Sequence, residues 1–129
     1  MPGVTANYLA AHHPSAFALG GPAAAADPAA TPVVGVDRYD TARKAAEVFF
    51  SGPVAVGVAT GQNFPDALAG GAHIGKKGGP VLLTPTSSLA GSTDAYLKAN
   101  HTAIDIAFIY GGINAVSLAV AAQIQADIA

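Results

Sequence analysis

The chain has 129 residues, enough for one ordinary domain. Hydrophobic residues make up 51% of it and charged residues only 11%, which excludes intrinsic disorder, and a formal net charge of −2 excludes the broad basic field of a nonspecific nucleic-acid binder. Cysteine is absent, so disulfides, thiolate nucleophiles and Cys-ligated metal centres are ruled out. No apolar run reaches the ~18 residues of a membrane span, and no membrane partner is expected.

The first 36 residues are rich in Ala, Pro and Gly and read in isolation as a linker. Set beside the C-terminal third they read as a worn copy of it. Tyr8-Leu9-Ala10-Ala11-His12-His13 parallels Tyr96-Leu97-Lys98-Ala99-Asn100-His101, and Gly20-Gly21 follows Phe17-Ala18-Leu19 as Gly111-Gly112 follows Phe108-Ile109-Tyr110. A period near 90 residues suggests tandem modules, with the tail of one unit over residues 1–33 and a whole unit over 34–129.

From residue 37 onward helical spacing alternates with short apolar runs. Tyr39, Ala42, Ala46 and Phe49 recur at intervals of three and four, predicting a helix from Asp37 or Asp40 to Phe50, with Arg43, Lys44 and Glu47 on its other face. Strands are predicted over Pro53–Thr60, Pro80–Thr84 and Ile104–Tyr110, the last frayed at Asp105. Their near-continuous apolar character fits strands covered on both faces. A second helix is predicted from Asp66 as N-cap to Lys76 and Lys77, stopped by Gly78-Gly79-Pro80. A third is predicted from Ser88 to Asn100, capped by Ser88 or Ser92 with Leu97 inward. The fourth starts at Asn114 or Ser117 and carries the ridge Val116, Val120, Ile124 and Ile128. The order implies a three-layer αβα sandwich with a mostly parallel, Rossmann- or flavodoxin-like sheet.

The turn Thr60-Gly61-Gln62-Asn63-Phe64-Pro65-Asp66 leaves a core strand and enters a helix, where open α/β sheets place ligands. Gly61 permits close backbone approach, Gln62 and Asn63 offer amides, and free N–H groups at a helix start hold anions. Asp66 reads either as the helix cap or as a ligand contact, and Phe64 either stacks on a sugar or tucks against the sheet. Gly70 and Gly71 inside the helix each cost about 1 kcal/mol relative to Ala, which points to close packing against the sheet, a helix or another module. Neither Gly-x-Gly-x-x-Gly after a strand nor a Walker loop is present, and Gly111-Gly112 lacks the remaining dinucleotide glycine.

Chemistry is thinly supplied. Ser87, Ser88, His73 and His101 form no Gly-x-Ser-x-Gly elbow, and His12-His13, His73 and His101 lack zinc-helix spacing, so neither catalysis, metal nor cofactor is expected. The cations are Arg38, Arg43, Lys44, Lys76, Lys77 and Lys98. Arg38 and Arg43 near one helix start and Lys76-Lys77 at another helix end form spots suited to phosphate or carboxylate, or they serve solubility and dipole compensation.

Four motifs in order, Asp37-Arg38-Tyr39-Asp40-Thr41-Ala42, Thr60 to Ala69, Pro80 to Pro85 and Tyr110 to Ser117, resemble the type 2 cell-wall-binding repeat. The resemblance implies an αβα module used in tandem on surface-layer and other secreted wall proteins of Gram-positive bacteria, excised here from a larger exported protein. It implies noncovalent anchoring to an anionic wall polymer, with Arg38, Arg43, Gly61, Asn63, Asp66, Lys76 and Lys77 as the contacts to test, and association with neighbouring repeats or in a homo-oligomer. The alternatives are a structural self-association module and, by fold analogy only, a small α/β enzyme or nucleotide binder.

Overall fold

The computed structural model describes residues 1–12 and 15–129. His13, half of the His12-His13 pair considered as a metal candidate, lies outside the described residues. The elements run α1 (Gly3–His12), β1 (Phe17–Leu19), α2 (Gly21–Ala26), β2 (Thr31–Val33), α3 (Arg38–Phe49), β3 (Ala55–Thr60), α4 (Pro65–Lys76), β4 (Val81–Thr84), α5 (Gly91–Asn100), β5 (Ile106–Tyr110) and α6 (Leu118–Asp127).

β3 is buried along its whole length, as an apolar strand at the centre of a sheet must be. It lies between β4 and β5 and is parallel to both, with Gly57 opposite Val81 on one side and Phe108 on the other. On one face Val56, Val58 and Leu82 join Ala46 of α3, Tyr96 and Leu97 of α5, and Val120 and Ile124 of α6 in a single core. On the other face α4 lays Ile74 and Gly70 over Gly57 and Tyr110. The result is the expected αβα arrangement with a parallel sheet. β1 and β2 form a separate two-stranded parallel sheet with α2 as the crossover between them.

Local chemistry explains the helix starts. The Asp37 carboxylate accepts the Asp40 N–H at 2.8 Å and caps α3, and the Ser117 hydroxyl oxygen accepts the Val120 N–H at 3.3 Å at the start of α6. Two caps differ from expectation. Pro65 occupies the first helical position of α4, where its missing N–H costs nothing, so Phe64 takes the cap position and Asp66 lies inside the first turn. At α5 neither Ser88 nor Ser92 caps, and Ala90 holds that position. The buried Thr84 hydroxyl instead donates to the Ser88 carbonyl at 2.9 Å and accepts the Ala90 N–H at 3.0 Å, tying the loop to β4. Thr93 then donates to the Leu83 carbonyl at 2.6 Å, so α5 is anchored to the same strand.

Candidate functional site

All three parallel strands of the larger sheet end at one rim, and the segments that follow them meet there. Thr60 at the end of β3 with Gln62, Asn63 and Asp66 after it, Thr86 after β4, and Gly112 to Ala115 after β5 enclose a cleft of about 600 Å³. Hydrogen bonds of backbone and side chain tie its walls together. The Gly61 N–H donates to the Thr84 carbonyl at 2.9 Å, and the Thr86 hydroxyl donates to Gln62 Oε1 at 2.9 Å. The Thr86 carbonyl in turn accepts the Ser117 N–H at 2.9 Å. Gln62 belongs to the turn expected to offer amides, whereas Thr86 stands outside the expected residues; its signal is the parallel order of the strands, which brings the residue after β4 to the turn after β3.

Arg38 reaches this rim from the first turn of α3. Its Nη1 donates to the Gly61 carbonyl, one residue from the cleft walls Thr60 and Gln62. Gly61 is needed here for a reason of packing: a Cβ on it would stand 2.6 Å from Tyr39 Cε1 and 3.1 Å from Arg38 Cδ. The close approach read from the sequence is therefore made by the start of α3. The guanidinium carries five donors and uses one of them on Gly61.

Asp66 turns toward the segment after β5. A Cβ at Gly111 would lie 2.4 Å from its Oδ2, and Gly111 has φ +97°, a region that favours glycine. Asp66 is the single carboxylate among the cleft walls, and its place in the first turn of α4 suits the positive end of the helix dipole. Phe64 is 71% exposed and Ile113 65%, so Phe64 is not tucked against the sheet and both offer apolar surface beside polar groups.

The other expected contacts are elsewhere. Arg43 is spent within α3: Nε donates to Asp40 Oδ1 at 2.9 Å and Nη1 meets Glu47 Oε1 at 2.5 Å. The hydrogen bond from Arg43 holds the Asp40 carboxyl below its ordinary pKa, and Asp40 raises that of Arg43. Lys76 and Lys77 lie at the far end of α4, about 15 Å from Asp66 at 1.5 Å per residue, with Lys77 Nζ 5.2 Å from the centre of the Phe108 ring. Lys44 donates to the Val34 carbonyl at 2.9 Å, and Lys98 pairs with Asp94 at 2.7 Å. The structure thus places Asn63 and Asp66 in the cleft walls and Arg38 on Gly61 beside them, and separates Arg43, Lys76 and Lys77 from the cleft.

His73 serves packing, with Nδ1 2.8 Å from the Tyr110 hydroxyl and its ring edge-on to Phe108. Among the described residues no three His, Asp or Glu side chains converge as a metal site would require, and no helix is long and apolar enough to cross a membrane.

The fold is similar to that of Cwp8 from Clostridium difficile, with a TM-score of 0.73 at 21% identity over 96% of this chain and 22% of that one. The chain therefore spans less than a quarter of that protein's length. No curated protein matches it. The family model described as cell wall binding domain 2 (CWB2) matches residues 33–121, which is most of the chain. The chain belongs to the cell wall binding domain 2 family and is a cell-wall-binding module, which implies a place at the cell wall or surface.

Proposed function

We propose that this module is a noncovalent, nonenzymatic anchor that holds an anionic polymer of the wall at the rim cleft, within a longer exported protein of the surface-layer type. The observation that carries the reading is the cleft enclosed by three strand-end segments, with Arg38 bonded to the Gly61 carbonyl between two of its wall residues, Thr60 and Gln62. Arg38 has donors left for a phosphate or carboxylate, and the amides of Asn63 and Asn114 add neutral ones. Asp66 opposes an anion deep in the cleft, so the polymer's charge is met at the Arg38 side and its sugars face Phe64 and Ile113. Arg43, with its fork occupied, drops out of the contact set, and Lys76 and Lys77 form a separate spot. The cleft walls are Thr, Gln, Asn, Asp, Gly, Ile and Ala, a set without a nucleophile, base and orienter in series.

The reading includes the division of the chain into the end of one repeat, residues 1–33, and one repeat, 34–129. It is supported by α1 and α5, both ten residues long and beginning 88 residues apart. Co-sedimentation with purified walls tests the function. Retention is expected to fall between about 0.05 and about 0.5 M salt and to be lost on walls stripped of anionic polymer. Equal retention on stripped and untreated walls would overturn it.

A further inference from the structure

β1 and β5 are the same strand in two settings. Phe17-Ala18-Leu19-Gly20-Gly21 parallels Phe108-Ile109-Tyr110-Gly111-Gly112, and both strands end in a glycine of positive φ, +88° at Gly20 and +97° at Gly111. β1 has a parallel neighbour, β2, whose Thr31 N–H donates to the Ala16 carbonyl at 2.9 Å and whose Val33 carbonyl accepts the Gly20 N–H at 2.9 Å. Ala16, Ala18 and Gly20 therefore face β2, because alternate residues of a parallel strand bond to opposite sides.

The Val54 carbonyl accepts the Asp105 N–H at 2.9 Å and the Ile106 N–H at 3.3 Å. Within the strands, Gly57 turns its N–H to the Pro80 carbonyl beside β4, so Val56 and Val58 bond to β5 and, lying opposite Ala107 and Ile109, turn Ile106, Phe108 and Tyr110 toward β3. Ala107, Ile109 and Gly111, the counterparts of Ala16, Ala18 and Gly20, face the open edge of the sheet. Among the described residues the Gly111 N–H has no hydrogen-bond partner, whereas that of Gly20 is bonded to β2. Within Ile106–Tyr110 the edge carries neither charge nor proline, the exposed Asp105 standing just before it, and Ile106 and Ile109 expose apolar surface along it. Natural sheets protect such edges or use them. In the occupied setting the helix follows its strand onto the neighbour, since Phe49 of α3 meets Phe17 edge-on at 4.9 Å.

We infer that the outer edge of β5 docks the first strand and helix of another module, a segment of the chemistry of Thr31–Phe49. The strand adds parallel to β5 in the register of β1 and β2, its Thr31 counterpart opposite Phe108 and its Val33 counterpart opposite Tyr110. The inference rests on the tandem-repeat reading above and not on polymer binding. A second copy of the intact chain does not supply the strand, because its own β2 is taken by β1.

The test extends the full chain after Ala129 with a second copy of residues 29–129, which leaves four residues between helix and strand as between Ala26 and Thr31. The amides of Ile109 and Gly111 are expected to exchange with solvent at least about tenfold more slowly in the tandem chain than in the single one. Ile109→Pro removes the outward N–H and leaves the bonds to β3, so it is expected to restore fast exchange at Gly111 while β3 stays protected. Unchanged exchange at Ile109 and Gly111 in a tandem chain with both modules folded would overturn the inference. Should the second copy not fold, a peptide of residues 29–50 titrated onto the full chain gives the same decision: shifts at Ile109 and Gly111 support docking, and unmoved resonances overturn it. No wall material is present, so failure here and failure of polymer binding are read separately.

Discussion

Replacing Gly70 by alanine sets helix propensity against packing. In the interior of α4 alanine is favoured over glycine by about 1 kcal/mol. The new Cβ, however, would stand 2.3 Å from Tyr110 Cδ2, 2.5 Å from Cγ and 2.6 Å from Cε2. The ring also lies against Gly57, close enough that a Cβ there would stand 2.6 Å from its Cε2, and its hydroxyl is 2.8 Å from His73 Nδ1, so moving away from Gly70 disturbs both contacts. Overpacking of this kind costs about 1–3 kcal/mol, and losing the hydroxyl bond about 0.5–1.5 kcal/mol more. The sum outweighs the propensity gain, so Gly70→Ala is expected to lower stability by about 1–3 kcal/mol, a drop of about 1 M in the urea midpoint. Gly71→Ala, whose Cβ meets nothing closer than Val81 Cγ2 at 4.0 Å, is expected to raise stability by up to about 1 kcal/mol. In a Tyr110→Ala background the Gly70 substitution should turn favourable. A higher midpoint for Gly70→Ala in the natural background would refute the reasoning.

Gly111→Ala combines a disfavoured φ of +97° with clashes on Asp66 Oδ2 and on Ala115 Cβ at 2.6 Å and is expected to cost roughly 1–3 kcal/mol in urea unfolding; Asp66→Ala should recover only the first of the two clashes. Burial, then the neighbouring Asp94 carboxylate, raise the Asp127 carboxyl above its ordinary 3.8, and its Oδ2 has no partner. A carboxyl raised in the folded state contributes stability below 3.8 that is lost as pH rises through the folded value, so Asp127→Asn should gain over the natural chain at about pH 7 and not at about pH 3.5 in urea midpoints. Arg38→Ala is expected to weaken wall retention about tenfold, the worth of one charge-assisted bond, while Arg43→Ala changes it less than about twofold and costs at most about 1 kcal/mol of stability.

The strands of the module are legible because each is a continuous apolar run that no helix period fits, and Val120 and Ile124 are legible as a buried helix face. Val116 joins the same core from the turn before the Ser117 cap and Ile128 is the C-cap, so two of the four ridge positions lie outside the helix. The cap of α4 differs from the sequence expectation because Asp66 carries a side chain able to cap, whereas Pro65 before it sets the first helical position by its missing N–H. Gly70 signalled close packing, but its partner Tyr110 lies 40 residues on, a distance that only the parallel order of β3 and β5 bridges. The cations show the same limit. Arg38 and Arg43 are neighbours in sequence with equal chemistry, and what separates them is that Asp40 and Glu47 stand three and four residues from Arg43 while Gly61 lies within reach of Arg38.

The most direct test of polymer recognition at the rim cleft is a titration of isotope-labelled protein with soluble anionic fragments of the wall, followed by amide and Arg side-chain resonances. Shifts are expected at Arg38, Gly61, Asn63, Gly112 and Asn114, weakening as salt is raised. Shifts confined to Lys76, Lys77 and their neighbours, or none at saturating fragment, would contradict the account.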